Sequence, residues 1–211
     1  APENSKKHWF TYIMGLGVFI VPEGRLRSKI FHWKEKVEEQ MDEQPYTNHP
    51  PHLTIIHSDI KNYNTAINEI KDCLNRLKSF KLTVHKNNIF WDDLFTGGHT
   101  LSFNIKKNEY LNSIQKKLSA IFIKYKKNNE IPEFFRPHKQ LYDSYLNFGF
   151  PFVGRHWIPH FTISSLKVDK NHGIIQEFLL DKIDVSFTVN KVSIWNINGN
   201  QHQMVEEFIL K

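Results

Sequence analysis

Apolar residues recur along this 211-residue chain with two different periods, and the periods take turns. Leu26, Ile30, Trp33, Val37 and Met41 fall three or four apart, which is one stripe of a helix. Ile67, Ile70, Leu74 and Leu77 make a second stripe; Leu111, Ile114, Leu118, Ile121 and Tyr125 make a third. Between them the period drops to two. Leu101, Phe103 and Ile105 alternate with polar residues, as do Val185, Phe187 and Val189, the pattern of half-buried strands. Leu53 to Ile56, the region from Leu82, Val192 to Ile197, and Val205 to Leu210 read as further strands. A turn is expected at Asp92 to Gly98 and a short helix at Ile174 to Leu180. The run Trp9 to Val21 predicts a buried first strand, because a membrane span needs roughly 20 apolar residues. Gly15 and Gly17 inside it mark a bend or a close backbone approach.

Residues 128–154 keep neither period. This insertion is rich in aromatics (Phe134, Phe135, Tyr142, Tyr145, Phe148, Phe150, Phe152), with a helical stretch expected near His138 to Leu146. Across the chain, helices and strands are mixed and hairpin-like strand pairs occur in each half. That order predicts an α+β protein of two similar lobes, forming one bilobal domain over residues 1–211.

The formal charge of +6 and pI of about 9.2 favour acidic partners such as nucleic acid or phosphorylated small molecules. Cys73 is the one cysteine, so no disulfide forms within the chain, and a reducing, cytoplasmic compartment is expected.

One pentapeptide occurs twice in near-identical form. Pro51-His52-Leu53-Thr54-Ile55 returns as Pro159-His160-Phe161-Thr162-Ile163. On a strand, residues two apart share a face. His52 and Thr54 then point one way and Leu53 and Ile55 the other, and the same holds for His160 and Thr162 against Phe161 and Ile163. If the lobes are related by a pseudo-twofold axis, the two polar pairs meet across one cleft. A neutral imidazole can take a proton from an attacking oxygen, and a protonated one can give a proton to a leaving oxygen. The threonine hydroxyls can hydrogen-bond the non-bridging oxygens of a phosphate. A lone His-x-Thr carries little weight; two copies sharing the preceding Pro and the following Ile carry much more. His49 and His57 flank the first copy without a metal-ligand spacing, and no metal site is expected.

These motifs resemble those of the 2H phosphoesterase superfamily, named for two His-x-Thr/Ser motifs. The resemblance implies a bilobal, pseudo-twofold α+β fold: two antiparallel-rich sheets, flanked by helices, around a central cleft. It implies His52 and His160 as catalytic residues and Thr54 and Thr162 as phosphate-binding ones. Members include RNA ligase-like cyclic phosphodiesterases, RNA 3′-end trimming enzymes and 2′,5′-oligoadenylate phosphodiesterases. The run Arg155-His156-Trp157-Ile158-Pro159-His160 is most similar to the 2′,5′-phosphodiesterase branch. The implied substrate is RNA, an oligonucleotide or a cyclic nucleotide, with no cofactor, no membrane and no obligatory protein partner. Further substrate-binding candidates are Tyr12, Trp157 and Trp195 as stacking rings and Arg155 as a phosphate partner. Phe150 belongs to an aromatic group that either covers the cleft or pins the insertion. The insertion departs from the family's compact form. A competing reading is a binding module of the same fold without turnover, and which histidine is base and which acid stays open.

Overall fold

The computed structural model describes residues 14–128 and 130–211, so Tyr12 and the start of the first apolar run lie outside the described residues. The fold is α+β. Its strands are β1 (Met14–Ile20), β2 (Leu53–Ser58), β3 (Phe80–Phe90), β4 (His99–Ile105), β5 (His160–Leu166), β6 (Val185–Val189), β7 (Lys191–Asn198) and β8 (Gln201–Ile209). Its helices are α1 (Gly24–Gln40), α2 (Tyr63–Leu74), α3 (Glu109–Tyr125), α4 (Lys139–Phe148) and α5 (Gly173–Leu180).

The helices form where the three-and-four spacing demands it. α1 buries Leu26, Ile30, Trp33 and Val37, and Lys34 with them. α3 buries Leu111, Ile114, Leu118, Ile121 and Phe122, together with Gln115 and Ser119. It starts at Asn108, whose side chain accepts the Leu111 amide at 2.9 Å, a cap worth about 1 kcal/mol. The insertion is anchored by packing. Phe95, in the β3–β4 turn, lies 5.5 Å from the rings of both Phe134 and Phe135 and 5.9 Å from Phe152.

All strand pairings are antiparallel, in the order β6-β3-β4-β5-β2-β1-β7-β8. The eight strands form two halves of four. β5 is the inner strand of one half and β2 of the other, and they join through one register pair among the described residues, Leu53 opposite Phe161. Each motif therefore sits at the seam.

Helices cross that seam. α1 connects β1 to β2, yet it packs on β5; α3 follows β4, yet it packs on β2. The main core lies between sheet and helices. From the motif strands it takes Leu53, Ile55, Ile56, Phe161 and Ile163, all fully buried. Burying each such side chain contributes roughly 1.5–3 kcal/mol.

Candidate active site

The alternation along the motif strands sorts their side chains. Leu53 and Ile55 enter the core while His52 and Thr54 are half-buried on the opposite face; Phe161 and Ile163 enter the core while His160 and Thr162 are half-buried. Antiparallel pairing then aligns the two motifs. With Leu53 opposite Phe161, the antiparallel direction puts His52 toward the Thr162 side of that pair and Thr54 toward the His160 side. The four polar side chains share one face of the sheet at the seam.

The two imidazoles are held the same way. His52 Nδ1 lies 2.6 Å from the Pro50 carbonyl oxygen, and His160 Nδ1 lies 2.6 Å from that of Ile158. A carbonyl only accepts, so each Nδ1 carries the proton and donates it. In the neutral ring that leaves the lone pair on Nε2, the nitrogen away from the anchor. Each ring also has an aromatic neighbour. Phe19 stacks on His52 at 4.2 Å and 25°, and Phe90 tilts against His160 at 4.7 Å. Phe19 can lie flat because Gly17 is beside it: a Cβ on Gly17 would sit 2.6 Å from the Phe19 ring. With Trp195 and Ile197, Phe19 forms a small buried cluster separate from the main core.

Charge around the two rings differs. Burial pushes His52 down to about 3, with Pro50 pulling the other way and His202, His49 and Lys34 adding to the fall. The His202 ring is 5.4 Å from His52 and 4.4 Å from His49. Asn200, in the β7–β8 turn, links that pair: its Oδ1 is 3.2 Å from His49 Nε2 and its carbonyl 3.1 Å from His202 Nδ1. Burial also lowers His160, but there the Ile158 carbonyl and the Asp93 carboxylate both oppose it. Asp93 is fixed by Thr100 Oγ1 at 2.6 Å and the Phe95 amide at 2.9 Å.

The other residues singled out in the sequence differ in how they stand to the motifs: Trp195 adjoins His52 through Phe19, whose ring is 6.0 Å away. Trp157 packs against the main core and donates its indole N–H to the Thr54 carbonyl at 3.2 Å, tying the approach to the second motif onto the first. Trp195 is 8% exposed, and its Nε1 is buried without a hydrogen-bond partner among the described residues. Phe150 packs against the main core, 5.7 Å from Phe152 and 6.3 Å from His57. Arg155 is exposed in a 3₁₀ turn beside His156. Among the described residues, no group of three or more His, Cys, Asp or Glu is placed to hold a metal ion, and no helix is long and apolar enough to cross a membrane.

Sequence reasoning missed His202, Asp93 and Lys34. His202 and Asp93 reach the motifs only through the strand order, which no local spacing reveals. Lys34 had a signal: it is a charged residue one turn from Ile30 and Val37, on the apolar stripe of α1. Its Nζ donates to the Tyr46 and Thr47 carbonyls in the loop before the first motif and to the Ile163 carbonyl in the second. The same loop joins β5 through Thr47 Oγ1 and Ser164 Oγ at 2.6 Å, and through the Ser165 amide to the Pro45 carbonyl at 2.9 Å.

Comparison with known proteins agrees with this architecture. The model of the 2′-5′ RNA ligase superfamily matches residues 22–201. No curated protein is similar enough in sequence to count as a match. The crystal structure of TT0787 of Thermus thermophilus aligns with a TM-score of 0.65 at 14% identity, over 93% of this chain and 98% of that one. E. coli LigT in apo form aligns at 0.56 and 12%, over 94% and 98%. E. coli LigT complexed with 3′-AMP aligns at 0.55 and 13%, over 94% and 99%. At such identities the likeness is one of fold.

Proposed function

The chain belongs to the 2′-5′ RNA ligase superfamily, and from that premise we propose that it is a phosphodiesterase working by two-histidine acid–base catalysis. Its substrates are RNA-derived phosphodiesters: 2′,5′-linked oligoadenylate or a 2′,3′-cyclic phosphate. The observation that carries the reading is the shared face at the seam, where two His-x-Thr pairs meet with both Nδ1 atoms tied to carbonyls and both Nε2 atoms left for chemistry. The net positive charge suits a polyanion, and a structure of the similar LigT carries 3′-AMP.

In the cyclising cleavage of a linear diester, a ribose hydroxyl gives its proton to one Nε2 and attacks phosphorus. The bond to the leaving oxygen breaks as that oxygen takes a proton from the other Nε2–H. A cyclic phosphate and a free hydroxyl are the products. Thr54 and Thr162 donate to the non-bridging oxygens. The surroundings favour His52 as base, since His49, His202 and Lys34 disfavour a proton there, and His160 as acid, since Asp93 favours one. Hydrolysis of a cyclic phosphate is the same path with water as nucleophile and the roles exchanged.

The test is a product survey in EDTA across 2′,5′-, 3′,5′- and cyclic-phosphate substrates. Turnover that survives chelation supports the reading. Binding without product on every substrate from pH 5 to 8 identifies a binding module instead.

A further inference from the structure

Two buried polar side chains grip the motif strands from behind, at matching places. Lys34, on α1, is 5% exposed; its Nζ donates to the carbonyls of Ile163 at 2.8 Å, Tyr46 at 2.9 Å and Thr47 at 3.2 Å. Gln115, on α3, is 2% exposed; its Nε2 donates to the carbonyls of Ile55 at 2.9 Å and Phe152 at 3.0 Å, and its Oε1 accepts the Gly154 amide at 3.0 Å. Ile55 and Ile163 are the last residues of the two matching pentapeptides. Tyr46 and Thr47 lie on the approach to the first motif, Phe152 and Gly154 on the approach to the second. Each side chain therefore ties the loop entering one motif to the strand that carries the other.

We propose that Lys34 and Gln115 are positioning residues, a crossed pair of clamps that sets the separation and relative aim of His52 and His160. This rests on the reading that both imidazoles serve one phosphate. The seam between β2 and β5 has one register pair among the described residues, so the backbone ladder alone gives it little resistance to shear. Apolar packing resists separation but is non-directional. Hydrogen bonds to the Ile55 and Ile163 carbonyls add direction at the motif strands themselves, beside the bonds that Trp157, Thr47 and Ser165 make across the same seam. Each clamp is also complete: burial lowers Lys34 to about 7, and in its ammonium form it has three N–H groups for three carbonyls, while Gln115 uses both ends of its amide. Catalysis is sensitive to such placement, because a 1 Å error far from the chemistry can cost about 10²-fold.

A merely structural role would stabilise the fold and do nothing else, so the test reads geometry as well as stability. The variants are Lys34→Met and Gln115→Leu, with Lys34→Gln and Gln115→Glu as milder partners that keep some polar contact. Inorganic phosphate is titrated into each folded variant while the Cε1–H resonances of His52 and His160 are followed by NMR. In the wild type both rings should shift along one binding curve. In the clamp variants the two curves should separate, or the shared affinity fall about tenfold or more. On whichever substrate the wild type turns over, kcat per folded molecule should fall about 10- to 100-fold with KM changed less than about threefold. If both rings still shift together with unchanged affinity, and kcat per folded molecule stays within about threefold of wild type, the clamps are overturned. Failure of the functional reading looks different: the wild type binds phosphate at both rings but forms no product.

Discussion

Leu53 lies directly opposite Phe161, and through this pair the two four-stranded halves of the sheet are joined. Both side chains are fully buried while their neighbours His52, Thr54, His160 and Thr162 face the other way. The floor of the site is thus continuous with the core, and damage to one should reach the other. Phe161→Ala should cost about 3–5 kcal/mol in urea unfolding, whereas Phe161→Leu, which keeps most of the volume, should cost less than about 1.5 kcal/mol. Equal costs would mean that the seam does not depend on close packing at this position.

Each threonine shares a strand face with the histidine two residues before it. If they hold the phosphate as charge develops, Thr54→Ala and Thr162→Ala should each cost roughly 3 kcal/mol of transition-state stabilisation, about 10²-fold, mostly in kcat. Steady-state rates on the preferred substrate decide this, and undiminished rates in both variants would remove the phosphate-holding role. Serine, which keeps the hydroxyl, should restore most of the rate.

How far the sequence foretold this arrangement depends on the distance between the residues involved. The repeated pentapeptide and the two periods are local signals, and they led to the α+β fold and to the strands bearing His52 and His160. The β8 strand begins at Gln201, earlier than its apolar residues indicate, because its first half is mostly exposed and the sequence Gln201-His202-Gln203 carries no apolar residue to mark an inward face. His202 therefore carried no signal, although it lies within 5.4 Å of His52. The insertion was legible as aromatic, but that Phe95 pins it from the β3–β4 turn depends on a contact between segments far apart in the chain. Lys34 was legible as an anomaly in a helix stripe, and its partners were not.

His57 is buried and His49 and His52 are half-buried, and all three are held in neutral form. His52 and His57 are pushed down to about 3 and His49 to about 4, from an ordinary 6.5, with burial the leading cause in each. Values lowered by folding mean that the unfolded chain binds protons first. The stabilisation is complete above pH 6.5 and drains away as pH falls toward 4. Each pH unit in that window costs at most about 1.4 kcal/mol for the buried His57, and less for the half-buried, mutually coupled His49 and His52. Urea midpoints should therefore fall steadily from pH 6.5 to 4, and His57→Phe, which removes a buried Nε2 lacking a partner among the described residues, should flatten the slope. Constant stability down to pH 4.5 would contradict burial of these rings.

The unequal surroundings of His52 and His160 give their roles a chemical test. An oligonucleotide whose leaving 5′-oxygen is replaced by sulfur needs no acid, because a thiolate departs unprotonated. With His160 as acid in the cyclising step, the thio substrate should restore much of the activity of His160→Ala and little of that of His52→Ala. The reverse pattern would exchange the roles. Asp93→Asn should lower the more basic limb of the pH–rate profile, since Asp93 favours the proton on His160.

Both imidazoles are proposed to act at one phosphorus, and the most direct measurement is kcat for His52→Ala, His160→Ala and the double variant on one substrate in EDTA. Each single change should lower kcat by about 10²- to 10⁴-fold, and the double variant should be little worse than the poorer single, because the two rings work as a unit. Either single variant retaining more than about a third of the wild-type rate would contradict that proposal.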